Sequence, residues 1–226
     1  MELKEHRGGS LDYAVVYPDG YSPTRQYPLV VLLHGFGANM YDLAGLAPAI
    51  DLRGYLYAFP QAPVPLELAP GLEGYGWTPP DGFRSPDHIR RAQELLEQWF
   101  PNLLAQLPMP PAQVILGGFS QGGSLTYRWG LPRPDLFAGL AALSSSLPPP
   151  EQLKERLPAE RAQEIFIAHG RQDPIVPLER GREAWALLEA EGYHPRYHEY
   201  DMGHEITPWV VRDLVRWMHT VAPPLP

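Results

Sequence analysis

In the stretch ILGGFSQGGSLTYRWG, Ile115 to Gly130, Ser120 stands between Gly118 and Gly122 where an apolar run stops and a helical pattern starts. A strand that turns at once into a helix forces its corner residue into a tight backbone, and neighbours with side chains would collide there. Glycine two residues to either side removes the collisions and holds the serine hydroxyl out at the top of a sheet, within reach of a substrate. With eight serines and 21 glycines in 226 residues, a random shuffle gives about 0.07 such patterns, so the spacing has weight only in context.

A serine hydroxyl attacks well only if a base takes its proton, and an imidazole serves as that base only if a third group fixes its tautomer and orientation. On a parallel α/β sheet such groups sit on loops leaving the C-terminal ends of strands. Asp173, in AHGRQDPIVP, follows a strand-like run at 164–169, and His204, in YDMGHEITPW, follows another at 196–200. Of the other histidines, His6, His88, His194 and His219 fall on the terminus, helical stretches or a turn, and His198 lies within a strand-like run. His34 and His169 each end a strand as part of an HG pair, where packing and hydrogen bonding that hold a turn are the expected role. Asp201 is the rival carboxylate, three residues from His204, and is expected to cap its loop locally. The tetrahedral intermediate also needs hydrogen-bond donors for its negative oxygen. The turn in LVVLLHGFGAN can aim the N–H of Phe36, and the N–H of Gln121 follows the serine at the start of its helix.

These residues need a scaffold. Strand-like runs at 13–17, 29–33, 55–59, 114–118, 139–144, 164–170 and 196–200 alternate with helical spacing in Ile89–Leu107, Ser124–Trp129, Arg180–Glu191 and Trp209–Met218. Such alternation predicts an α/β fold with a mostly parallel central sheet and helices on both faces. Ser85, Pro86 and Asp87 supply start chemistry for one helix. The run at 13–17 is followed by the turn-like PDGYSP and no helix, so it is expected to pair antiparallel at an edge. The segment Pro60–Arg84 has no clear periodicity and reads as a long loop. Its Leu66, Leu68, Leu72, Trp77 and Phe83 could line an acyl pocket or lid, or merely cover the sheet edge; with Ile175, beside Asp173, the first four are the candidate substrate contacts.

At 226 residues one domain spanning 1–226 is expected. A formal net charge of −8 argues against nucleic-acid partners or an anionic membrane surface. No apolar run approaches the ~20 residues of a membrane span and the N-terminus lacks a signal-peptide core, so a cytoplasmic protein is expected. Without cysteine there is no disulfide framework, thiolate nucleophile or Cys-bound zinc. The 28 prolines, with Asn only at 39 and 102, fit a thermostable chain, as they also fit a GC-rich genome. HEITP lacks the second histidine of a metalloprotease helix because Pro208 stands there, and Pro195 disrupts any helix aligning His194 with His198. GGFSQGGS has Gly123 where a phosphate loop needs lysine, and GFGANM has Met40 at the third glycine of a dinucleotide fingerprint.

Together, LLHGFGAN, GGFSQGGSLTY, ALSSSLPPP, HGRQDPIVP and MGHEI resemble, in order and spacing over nearly the whole chain, the carboxylesterase/phospholipase family of α/β hydrolases, which includes the acyl-protein thioesterases. The resemblance implies an α/β-hydrolase fold with Ser120 as nucleophile, Asp173 as orienting acid, His204 as base, and Phe36 and Gln121 as oxyanion donors, with no cofactor or metal. It implies a small-molecule ester substrate cleaved through an acyl-enzyme. The Ser144–Ser146 run replaces a more varied loop beside the pocket, and Pro60–Arg84 matches the family least well. A broad carboxylesterase is the expected activity; lysophospholipase or acyl-protein thioesterase, a serine peptidase or amidase, and a non-catalytic binding module are the alternatives. Oligomeric state is not legible at this level.

Overall fold

The computed structural model describes residues 1–82, 85–110 and 113–226. Eight strands form one sheet in the order β1-β2-β4-β3-β7-β8-β9-β10. They are β1 (Glu2–His6), β2 (Tyr13–Tyr17), β3 (Leu29–Leu33), β4 (Leu56–Pro60), β7 (Val114–Phe119), β8 (Gly139–Leu143), β9 (Glu164–Gly170) and β10 (Arg196–Tyr200). The pairs β1/β2 and β2/β4 are antiparallel; every other neighbouring pair in this sheet is parallel. A separate antiparallel hairpin joins β5 (Val64–Ala69) to β6 (Leu72–Gly76).

The sheet is covered on both faces because its central strands are apolar on both. In β3, Leu29, Val31 and Leu33 enter one hydrophobic cluster while Val30 and Leu32 enter the other, the two-residue alternation of a strand whose faces are both buried. The first cluster packs against α2 (Pro86–Leu104), α3 (Gln121–Gly130) and α5 (Leu178–Ala190), the second against α1 (Ala47–Ile50) and α6 (Pro208–Val221). α6 shows why: Val210, Val211, Leu214, Trp217 and Met218 recur every three or four residues and are all buried, one stripe of a helix laid on the sheet. A short helix, α4 (Pro150–Leu153), follows β8. Among the described residues no helix is long and apolar enough to cross a membrane.

The chain passes from β3 to β4 on one side and then crosses to β7 on the other, so strand direction of travel reverses between β3 and β7. Crevices at the carboxyl ends of strands at such a point are where open α/β sheets bind ligands. The turn after β3 holds Phe36 and the turn after β7 holds Ser120.

Two expectations need correction. β2 is not an edge strand: β1 pairs along its whole length, from Glu2 opposite Tyr17 to His6 opposite Tyr13. β1 escapes detection because ELKEH is exposed on nearly every side chain and is held by its ladder rather than by an apolar pattern. The 60–84 segment is not a long loop either. Val64–Gly76 folds back on itself around Pro70-Gly71, with Gly71 at φ +78°, a conformation glycine adopts without strain. The register shift between Glu67 and Ala69 breaks the alternation that would have shown it. The Phe83 side chain considered above lies outside the described residues.

Candidate active site

Ser120 has φ +54° and ψ −115°, a backbone that non-glycine residues rarely adopt. The surroundings impose it. Its N–H donates to Leu143 O at 2.9 Å, and its carbonyl accepts the first helical bond of α3, from the N–H of Ser124 at 3.1 Å. A Cβ on Gly118 would run into the backbone of Gly122, and one on Gly122 into the carbonyls of Leu33 and His34. Both glycines are therefore required by close approach of backbone, as the spacing predicts.

Asp173 lies on the loop after β9, and its side chain is fully buried. One carboxylate oxygen accepts the backbone N–H groups of Ile175 and Val176, both at 2.9 Å; the other accepts Nδ1–H of His204 at 2.8 Å. Burial acts to raise the carboxyl pKa, but the bonds from His204, Val176 and Ile175 outweigh it and the group titrates below its ordinary value. A proton on Nδ1 leaves Nε2 of His204 as the acceptor nitrogen. The loop carrying His204 is laced to the Asp173 loop by Arg171 N–H to Tyr200 O (2.8 Å) and Gln172 N–H to Met202 O (3.1 Å). The imidazole also packs on Phe119, the residue before Ser120, with ring centroids 4.6 Å apart. Asp201 is engaged elsewhere, accepting from Gln172 Nε2 at 2.8 Å. His169, fully buried, bonds Val176 O at 2.8 Å and so holds the turn that supplies two of the Asp173 contacts.

The turn after β3 is fixed on several sides. His34 donates from Nδ1 to Gly35 O at 2.8 Å and accepts the N–H of Ala62 on Nε2 at 3.1 Å, while Trp77 Nε1–H donates to His34 O at 2.9 Å. Gly37, at φ +81°, donates to Tyr75 O at 2.9 Å, and Tyr75 returns a bond to Ala38 O at 2.8 Å. The hairpin thus clamps the turn; a Cβ on Gly74 would strike Gly37, and one on Gly76 would strike the Phe36 ring. On its other side the turn packs on the elbow, an added Cβ at Gly35 lying 3.4 Å from that of Ser120.

Burial pushes the His34 pKa from 6.5 down to about 4, only partly offset by its bond to Gly35. The folded protein holds this ring neutral, whereas the unfolded chain protonates it below about pH 6.5. Its contribution to stability is complete above that pH and is lost as pH falls toward 4, by an amount on the order of 3 kcal/mol. Urea titrations between pH 7 and 4 should show this loss, and His34→Gln, although less stable at pH 7, should give a flatter profile. A slope unchanged by the substitution would contradict the assignment.

Ser120, His204, Phe36 and Gln121 line one cleft of about 730 Å³. Of the candidate substrate contacts, Trp77 and Ile175 also line it, and Ile175 is 68% exposed at its rim. Leu66, Leu68 and Leu72 do not. Leu66 is buried in the hairpin, Leu68 covers Gly37 and Gly74, and Leu72 points to solvent at the hairpin turn. Of the three, Leu68 is the one that braces the Phe36 turn, through Gly37 and Gly74. The sequence reading also missed the Gln121 side chain, which accepts the Trp77 N–H at 2.8 Å and donates to Thr78 Oγ1 at 3.0 Å, tying the hairpin's exit to the helix that begins at Ser120. From the serine run, Ser146 lines the cleft and its carbonyl accepts from Ser124 Oγ at 2.8 Å. Among the described residues, no group of three or more His, Asp or Glu side chains is placed to hold a metal ion.

A family model described as phospholipase/carboxylesterase matches residues 18–222. Acyl-protein thioesterase 1 of Mycosarcoma maydis is 28% identical, over 90% of this chain and 94% of that protein, and the protein of the same name from Gibberella zeae is also 28% identical, over 86% and 91%. Among solved structures, esterase PE8 superposes with a TM-score of 0.79 at 25% identity, covering 93% of this chain and 99% of that one. Acyl-protein thioesterase 2 of Zea mays shares the fold at a TM-score of 0.74 and 22% identity, covering 93% and 98%.

Proposed function

Because this chain belongs to the phospholipase/carboxylesterase family of α/β hydrolases acting on ester bonds, we propose that it is a serine carboxylesterase, a single domain working through Ser120, His204 and Asp173. The observation that carries this reading is the Asp173–His204 bond of 2.8 Å, whose imidazole shares a cleft with the strained Ser120 elbow. Asp173, fixed by two backbone amides, orients the ring and keeps its proton on Nδ1, so Nε2 is available as base.

In this mechanism Ser120 Oγ attacks the ester carbonyl as Nε2 of His204 takes the hydroxyl proton. The tetrahedral oxygen is met by the N–H groups of Phe36 and Gln121, and loss of one such donor typically lowers turnover by about 10²–10³. Collapse of the intermediate breaks the bond to the alcohol, which leaves with the proton from His204. Water then gives its proton to His204 and attacks the acyl-enzyme, releasing the acid and restoring Ser120.

The relatives named acyl-protein thioesterase favour a second reading, in which the same machinery cleaves a long-chain acyl thioester or a lysophospholipid. Hydrolysis of p-nitrophenyl esters from acetyl to palmitoyl separates the two. Because Leu66, Leu68 and Leu72 lie outside the lining of the cleft, activity is expected to peak at short acyl chains. A maximum at palmitoyl would transfer the assignment to lipid or acyl-protein substrates.

A further inference from the structure

Ser120, Ser124 and Arg128 all line the cleft; Ser124 and Arg128, four residues apart, share one face of α3, and Ser120 stands at the cap where that helix begins. At 1.5 Å per residue the Arg128 Cα stands about 12 Å along the helix from that of Ser120, a distance that about six bonds of substrate and the arginine's own stem can bridge. The cleft wall therefore runs from the reactive hydroxyl, past a second hydroxyl, to a cation.

That cation is not neutralised by the protein. Among the described residues, the guanidinium of Arg128 has one hydrogen-bond partner, the neutral Oε1 of Gln152 at 2.8 Å, and no carboxylate within ion-pair distance. Burial, together with the like charge of Arg156, holds its pKa below the usual guanidinium value. Arg180, the other arginine of the cleft, is already paired with Glu183 at 2.8 Å. In a chain of net charge −8, with carboxylates on most of its surface arginines, a partly buried arginine left with an amide partner inside the cleft calls for a charge from elsewhere. Leu125, Leu147 and Pro148 between them give the rest of that end an apolar wall, against which an anion would bind the guanidinium with less competition from water.

We propose that Arg128 is a specificity-determining residue that selects esters bearing an anionic group, a carboxylate or a phosphate, about six bonds from the scissile carbonyl. The assignment rests on Ser120 as nucleophile. The anion can reside on the acyl side, as in the half-ester of a dicarboxylic acid, or on the alcohol side, as in an acylglycerol phosphate.

Two matched pairs of esters test it: mono-p-nitrophenyl adipate against its methyl-capped diester, and 1-butyrylglycerol 3-phosphate against 1-butyrylglycerol. In the native protein the charged member of one pair should have the higher kcat/KM, by on the order of tenfold, the usual yield of a charge-assisted hydrogen bond. Arg128→Gln should bring that ratio close to one, and Arg128→Lys should keep most of it. The responding pair identifies the side on which the anion sits. No preference for a charged ester in the native protein, or a preference that survives Arg128→Gln, would overturn the proposal. If Arg128→Gln does not fold, Arg180→Gln decides the matter: the native preference should survive it, and its loss there would assign the anion to Arg180 and overturn the proposal. Hydrolysis of the neutral esters reports separately on Ser120. Were it absent, calorimetric binding of monomethyl adipate or glycerol 3-phosphate, lost in Arg128→Gln, would still uphold the anion site, and no binding of either would refute it.

Discussion

Replacing Ser120 with Ala should lower kcat for a short-chain p-nitrophenyl ester by on the order of 10⁶ while changing substrate affinity little. The hydroxyl removed is the atom that forms the acyl-enzyme, and nothing else at the elbow can take its place. The other parts of the site remain, because they are held independently: the Phe36 turn by the hairpin, and His204 by Asp173. Residual hydrolysis above the uncatalysed rate, by the oxyanion donors and binding alone, is expected to be about 10³–10⁴. Alanine also fits the site, since the φ of +54° is imposed by neighbouring backbone and a smaller side chain adds no contact. The variant should therefore fold as the native protein does, which circular dichroism and the urea midpoint check. Retention of most of the activity in a folded Ser120→Ala protein would refute the assignment.

The second large effect is expected from Asp173→Asn. The native carboxylate accepts three hydrogen bonds, two from the amides of Ile175 and Val176 and one from Nδ1–H of His204. An asparagine keeps one oxygen, and the two amide donors claim it. Its NH₂ then faces the imidazole as a donor. Two donors cannot bond each other, so His204 is driven to the tautomer with the proton on Nε2, the nitrogen that must receive the serine proton. Activity near neutral pH should fall by about 10⁴ with KM nearly unchanged. The loss comes from proton placement, so the ring should still occupy its place against Phe119. A fall of less than about tenfold would mean that Asp173 is a structural acceptor for the 175–176 turn and not the orienting group.

The residues of the site were more legible in the sequence than the device that holds them. Gly118 and Gly122 announce the elbow because no other residue tolerates backbone that close. Asp173 and His204 are found by position, each on the loop after a strand-like run, the apolar EIFIAHG for Asp173 and the aromatic-rich RYHEY for His204. The parallel core was legible for the same reason, since strands buried on both faces are nearly continuous apolar runs. The hairpin was not. Its leucines point variously into the hairpin, over Gly37 and into solvent, so they give no single period, and the hairpin's role is set by contact with a turn more than 30 residues earlier in the chain. The Gln121 side chain was invisible likewise, because its partners, Trp77 and Thr78, are separated from it by more than 40 residues. Nothing in local pattern reports such a contact, although Gly74 and Gly76, two glycines in a short strand, are a trace of backbone pressed against backbone.

Labelling with a fluorophosphonate, followed by peptide mapping, tests the central claim most directly, because it needs an activated serine but no knowledge of the substrate. The native protein should take up one equivalent at Ser120, with labelling strongly slowed in Asp173→Asn and absent in Ser120→Ala. Labelling at another of the eight serines, or none in folded protein, would contradict the account.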